Sequence, residues 1–183
     1  MNFKFFNTPI KGLKLIERKI IGDDRGFIER IFCEDNLKEI IFDKNIVQIN
    51  HSLTKKKAAV RGMHYQIYPY AEKKIISCLK GKIWDVAVDL RKNSSTFLQY
   101  YGVILSEDNF KSFLIPEGFA HGFQTLSEKC ELIYLHTERY KPDYEKGLNP
   151  LDPLIGIEWP LKISQLSERD KNQKILDEKF LGI

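Results

Sequence analysis

The sequence predicts an all-β protein, built as a closed barrel or as two packed sheets. Its apolar runs are short and broken at close intervals by Gly, Pro, Asn and Asp. Several of them alternate with a period of two, and helical periodicity is scarce. With 43% apolar and 30% charged residues, the 183-residue chain has a globular balance. It is long enough for one domain over residues 1–183 with a real core.

The clearest strand is 83–90. Trp84, Val86, Val88 and Leu90 take one face, and Ile83, Asp85, Ala87 and Asp89 take the other. Residues 74–79 read as a strand stopped by Gly81, with Lys74 at its start and one face of it turned inward. Residues 102–105 and 113–115 read as two more strands. Residues 122–126 and 130–137 read as a hairpin around Ser127-Glu128-Lys129. In the second arm Tyr134 shares a face with Leu132 and His136, opposite Ile133 and Leu135. A short helix is expected over 36–42, where Leu37, Ile40 and Ile41 form a stripe. The polar tail from Ser167, with Ile175, Leu176 and Phe180 apolar, has room for one or two helical turns.

Several function classes drop out. The net charge is +4 with both signs interspersed, a lean toward anionic ligands that falls short of a nucleic-acid-binding pattern. No window approaches 18 apolar residues, so no membrane span is expected. The first residues lack the apolar core and cleavage site of a secretory leader. Cys33, Cys78 and Cys130 are odd in number and lie in apolar, strand-like runs, which reads as buried free thiols in a reducing cytoplasm. No Gly-x-Gly-x-x-Gly, P-loop or Gly-x-Ser-x-Gly elbow occurs.

Two histidines sit beside Gly or Arg at strand edges: His64 in Arg61-Gly62-Met63-His64-Tyr65-Gln66, and His121 in Pro116-Glu117-Gly118-Phe119-Ala120-His121-Gly122-Phe123. Pro116-x-Gly118-x-x-His121 resembles half of the cupin metal motif. The other half needs His-x-His, and here it reads His64-Tyr65-Gln66, so no metal is expected. That leaves side-chain chemistry, for which proton transfer is a natural fit. On spacing alone Tyr134 reads as a core tyrosine. Ser167-x-x-Asp170 reads as a helix capping box.

These segments, together with Gly22-Asp23-Asp24-Arg25-Gly26-Phe27, Gln48-Ile49-Asn50-His51-Ser52, Asp85 to Arg91 and Gly156-Ile157-Glu158-Trp159-Pro160 leading to Leu166-Ser167, resemble the dTDP-4-dehydrorhamnose 3,5-epimerase family from about residue 8 to 175. The resemblance implies a cupin jelly roll and a homodimer with exchanged N-terminal strands. It implies a cytoplasmic isomerase without cofactor, acting on a nucleotide-diphosphate 4-keto sugar. By the same resemblance His64 is the general base, Asp170 its orienting partner, Tyr134 the general acid, and Lys74 the cation beside the developing oxyanion. Arg61 and His121 line the pocket. Arg25, Gln48 and Asn50 hold nucleotide and phosphates, and Phe27, Glu29 and Tyr140 join them as substrate contacts.

The chain departs from the family pattern at three places. Arg30 stands where a glutamate is usual, with Glu29 just before it. Leu135 replaces a lysine and His136 a small hydroxyl residue. Gly147-Leu148-Asn149-Pro150 replaces Gly-x-x-Trp. The reaction type is therefore fixed more firmly than the substrate. A GDP-linked 4-keto heptose of capsule synthesis remains an alternative substrate, and a catalytically silent nucleotide-sugar-binding cupin an alternative function.

Overall fold

The computed structural model describes residues 3–41 and 44–183. In chain order it contains β1 (Phe3–Asn7), β2 (Lys14–Arg18), β3 (Ile20–Asp23), β4 (Gly26–Glu29), α1 (Glu34–Ile41), β5 (Gln48–Thr54), β6 (Val60–Gln66) and β7 (Lys74–Lys80). There follow β8 (Lys82–Asp89), β9 (Tyr100–Ser106), β10 (Lys111–Ile115), β11 (Phe119–Thr125), β12 (Cys130–His136), β13 (Glu145–Gly147) and α2 (Glu168–Lys171). Two sheets face each other as a jelly roll. One has the order β1-β2-β10-β7-β12-β5, the other β13-β6-β11-β8-β9. The pair β3–β4 stands apart as a two-stranded sheet.

The period-two alternation of the strands builds three apolar layers. Between the sheets lie Ile76, Cys78, Ile83, Ala87, Phe113 and Leu132. The opposite face of β12 and β7 sends Leu135 and Ile75 outward to pack under Leu37, Ile40 and Ile41 of α1. The opposite face of β8 sends Val86, Val88 and Leu90 outward, where Leu148, Ile155 and Leu176 of the C-terminal segment cover them. The two faces expected of residues 83–90 are thus both buried, against different partners. The short helix expected over 36–42 is α1, though Phe42 lies outside the described residues. The helical turn expected in the tail is α2.

The expected hairpin over 122–137 does not form. β11 pairs with β6 and β8, whereas β12 pairs with β5 and β7 in the opposite sheet. Residues 126–129 are a corner between sheets. The amides of Leu126 and Ser127 donate to the Lys82 carbonyl, and that of Lys129 donates to the Lys55 carbonyl. Both strands carry an inward face for the same interior, and closing a two-sheet core requires the chain to change sheets there. Cys78 and Cys130 are buried free thiols, and burial pushes the Cys78 thiol up to about 12. Cys33 is the exception to the strand-like reading. It is half-buried in the loop before α1, where its carbonyl accepts from the Leu37 amide.

The Asp89–Arg91 segment closes the far end of β8. The fully buried Asp89 carboxylate accepts from Arg91 Nε (2.8 Å) and Nη2 (2.7 Å), Ser94 Oγ (2.6 Å) and Thr96 Oγ1 (2.7 Å). Burial works to raise the carboxyl, but these donors outweigh it and hold its pKa at about 2, below the ordinary 3.8. Folding lowers this pKa, so the stabilisation is full above the unfolded value and lost as pH falls through the folded one. Asp89→Asn is therefore expected to cost about 2 kcal/mol at pH 7. In urea titrations the gap from wild type should narrow as pH is lowered from about 4 toward 2.

Candidate active site

The two sheets enclose a cavity of about 980 Å³ at one end of the sandwich. From one sheet, β6 and β11 bring Arg61, His64 and His121 to it; from the other, β5, β7 and β12 bring Asn50, Lys74 and Tyr134. Residues 61 and 64 are an odd number apart and would face opposite sides of a regular strand. A bulge solves this: His121 pairs with His64 but Phe123 pairs with Arg61, leaving one extra residue in β6. Gly62 sits at that point with φ +125°. A Cβ there would lie 2.5 Å from the Gly122 Cα and 2.8 Å from the His121 carbonyl oxygen. Only glycine permits both the conformation and the approach of β11.

His64 is held from behind by α2. Its Nε2 lies 2.8 Å from Asp170 Oδ1, and the Gly62 amide donates to Asp170 Oδ2 at 3.4 Å. The capping reading is half right. The Ser167 hydroxyl oxygen accepts from the Asp170 amide at 3.0 Å, but the Asp170 carboxylate turns to His64 rather than back to the cap. Burial pushes the Asp170 carboxyl up, yet the hydrogen bond and charge of His64, with Ser167 and Gly62, hold it below the usual carboxylate range. Asp170 is therefore ionised at neutral pH and accepts from Nε2–H of His64. The Nδ1 lone pair of His64 remains as the basic site.

Across the cavity the Tyr134 hydroxyl lies 3.3 Å from Ser52 Oγ. Its ring stands edge-on to His121 at 6.3 Å between centroids and stacks on His136 at 6.0 Å. Burial, as the largest cause, pushes the Tyr134 phenol well up, so it keeps its proton throughout the neutral range. His121 Nε2 lies 2.7 Å from Oδ1 of the fully buried Asp85, whose Oδ2 has no hydrogen-bond partner among the described residues. Lys74 Nζ lies 3.0 Å from Glu72 Oε1, and both side chains are almost completely buried. At the rim, the Tyr140 hydroxyl donates to Glu145 Oε2 at 2.7 Å and its amide donates to Gln48 Oε1 at 3.0 Å.

Of the residues expected at the site, His64, Tyr134, Asp170, Lys74, Gln48, Asn50, Arg61, His121 and Tyr140 converge on this cavity. Arg25, Phe27 and Glu29 do not. They belong to the β3–β4 hairpin, which pairs with no other strand among the described residues. Arg25 pairs with Asp23 (2.6 Å), and Phe27 stands edge-on to Phe110. Glu29 accepts from Nε of the buried Arg18 at 2.6 Å. Sequence reasoning missed Glu72, Asp85 and Ser52. For Asp85 a signal existed: it is a charge on the same strand face as Ile83 and Ala87. Glu72 carries no local signal.

A jelly roll with a histidine–aspartate pair at one sheet and a buried tyrosine on the other, across one cavity, has the architecture of a cupin-type isomerase. The sequence profile of the dTDP-4-dehydrorhamnose 3,5-epimerase family matches residues 7–178, and the chain belongs to that family. The dTDP-4-dehydrorhamnose 3,5-epimerase of Salmonella typhimurium is 43% identical over 95% of this chain and 96% of its own. The crystal structure of the dTDP-6-deoxy-D-glucose-3,5-epimerase of Legionella pneumophila, in complex with dTDP-4-keto-L-rhamnose, superposes with a TM-score of 0.91 at 41% identity, covering 98% of this chain and 97% of that one. A 3'-monoepimerase from Streptomyces bikiniensis in complex with dTDP-quinovose superposes at 0.84 with 31% identity, covering 91% and 84%.

Proposed function

We propose that this protein inverts C3 and C5 of a nucleotide-diphosphate 4-keto sugar, dTDP-4-keto-6-deoxyglucose in the first place. The observation that carries the reading is the opposition of the His64–Asp170 pair to Tyr134 across one cavity. A carbon next to a ketone loses its proton to His64 Nδ1, and the electron pair moves to the ketone oxygen as an enolate. Asp170 supports the imidazolium formed. Lys74 stabilises the enolate oxygen in a largely dry site. Tyr134 returns a proton from the other sheet, hence to the other face of the ring. Arg61 and the amides of Gln48 and Asn50 suit the diphosphate and base, a guanidinium fork being matched to phosphate oxygens. Substrate and product share one oxidation state, so no redox cofactor enters.

The working unit in this reading is a homodimer in the cytoplasm. No helix among the described residues is long and apolar enough to cross a membrane. The β3–β4 hairpin exposes Ile20, Ile21, Phe27 and Ile28, and an isolated two-stranded sheet is marginal in water. Because β1 is paired with β2 of its own chain, the element available for exchange is this hairpin. Docked on a second copy, it would bring Arg25 and Phe27 to that copy's cavity.

The test is turnover in D₂O followed by NMR, with dTDP-4-keto-6-deoxyglucose and, separately, a GDP-4-keto heptose. Deuterium at both C3 and C5 of the dTDP sugar is expected. Exchange with the heptose alone would move the substrate to that alternative. A folded protein that binds dTDP but exchanges neither sugar would sink the epimerase reading in favour of a silent binding protein.

A further inference from the structure

The catalytic lysine expected of this site is not free in the cavity. It ends a hydrogen-bonded chain whose members span β5, β12 and the start of β7. The Tyr140 amide donates to Gln48 Oε1 (3.0 Å), and Gln48 Nε2 donates to Asn50 Oδ1 (3.3 Å). Asn50 Nδ2 meets His136 Nε2 at 3.3 Å, and His136 Nδ1 meets Glu72 Oε2 at 2.8 Å. Lys74 Nζ donates to the other oxygen, Glu72 Oε1, at 3.0 Å. The Asn50 amide nitrogen can only donate, so His136 Nε2 accepts. The ring proton then sits on Nδ1 and points at Glu72. Every donor and acceptor in the chain is matched, and Glu72 accepts from both ends, from His136 on one oxygen and from Lys74 on the other.

We propose that Glu72 and His136 are positioning residues for Lys74, fixing its ammonium where the enolate oxygen of the substrate develops. The proposal rests on the epimerase reading above and assigns work to residues that reading leaves idle. The registers of β12 set His136 opposite both Lys74 and Gln48, so the relay follows from strand pairing. A lysine side chain carries about 2 kcal/mol of rotamer freedom. Among the described residues Glu72 is the only hydrogen-bond partner of the Lys74 ammonium, with the Asp85 carboxylate acting on it through charge alone, which leaves two N–H donors for the cavity. Burial alone would raise the Glu72 carboxyl, but the His136 hydrogen bond and the Lys74 charge outweigh it, and it stays ionised. A bare carboxylate beside an enolate would oppose its formation. His136 shares the Glu72 charge on its other oxygen, so less of it offsets the Lys74 ammonium that faces the enolate.

Glu72→Gln and His136→Phe test this, the second keeping a ring against Tyr134. Each is expected to lower kcat for deuterium exchange about 10- to 100-fold, the scale of a catalytic group displaced by about 1 Å. Affinity for dTDP, read by calorimetry, should stay within about twofold of wild type in Glu72→Gln, whereas His136→Phe also releases Asn50 and is judged on kcat. In a Lys74→Met background, measured at single turnover with enzyme in excess, either change should cost less than about twofold more. Equal losses in both backgrounds, or a loss confined to dTDP affinity, would overturn the proposal. A second readout does not depend on turnover. The ¹H–¹⁵N signal of the Lys74 ammonium, slowed in exchange by its burial, should be lost or shifted in Glu72→Gln, and an unchanged signal also overturns the proposal. If wild type exchanges no substrate while that signal responds to Glu72→Gln, the epimerase reading fails and the anchoring of Lys74 survives.

Discussion

His64→Asn is expected to remove deuterium exchange at C3 and C5 together, lowering kcat by about 10²- to 10⁴-fold. Asparagine keeps a polar group near Asp170 but has no lone pair basic enough to accept a carbon-bound proton. Both carbons lose exchange because in this reading the same His64 nitrogen, oriented by Asp170, takes the proton from each. The fold should survive. His64 is half-buried, and Asp170 keeps its bond from the Gly62 amide while its own amide still bonds to Ser167. Binding of dTDP is expected to change by less than about twofold, since the ring addresses the sugar rather than the nucleotide. Exchange at either carbon persisting at the wild-type rate would remove His64 from the mechanism. The Asp170 carboxyl should also respond. The His64 bond and charge are leading causes of its depression, so it should titrate at higher pH in the variant.

Tyr134→Phe is expected to separate exchange from inversion. His64 still removes the proton, so deuterium still enters the substrate. Without the phenol the enolate is reprotonated mainly from the side it was attacked, and the carbon keeps its configuration. Formation of inverted product should fall by about 10²- to 10⁴-fold, with exchange reduced far less. Phenylalanine preserves the contacts with His121 and His136 and loses only the Ser52 bond, worth about 1 kcal/mol. The direction of the Tyr134 shift adds a second mark. Burial first, and the Asp85 charge in addition, push the phenol up, while Ser52 and Arg61 pull the other way. Tyr134 thus contributes no alkaline fall to the wild-type rate below about pH 10. Product of inverted configuration forming at the wild-type rate in Tyr134→Phe would assign reprotonation to solvent or another side chain.

Much of this protein is legible without coordinates. Alternation in residues 83–90 and 130–137 gives the inward and outward faces, and the order of short segments identifies the family and the residues that converge on one cavity. Where local reading failed, the cause was pairing at long range. The turn at Ser127–Lys129 looks like a hairpin because turn residues report only that the chain bends, and the core on both sides decides which sheet receives the next strand. Asp170 reads as a cap because three-residue spacing is local, whereas its bond to His64 crosses 106 positions. Arg25, Phe27 and Glu29 read as site residues from their segment, and the hairpin carrying them packs on Arg18 and Phe110 rather than at this chain's own cavity.

The sequence by itself determined the strand-rich architecture, the family and the chemistry-bearing side chains, because alternation and residue type are properties of short stretches. Tertiary structure alone decided that His136, 64 positions from Glu72, meets it on the oxygen opposite Lys74, and that a bulge at Gly62 turns Arg61 and His64 to the same side. Those outcomes depend on the register between strands. Register is settled by burying every inward face at once, and no single segment encodes that sum.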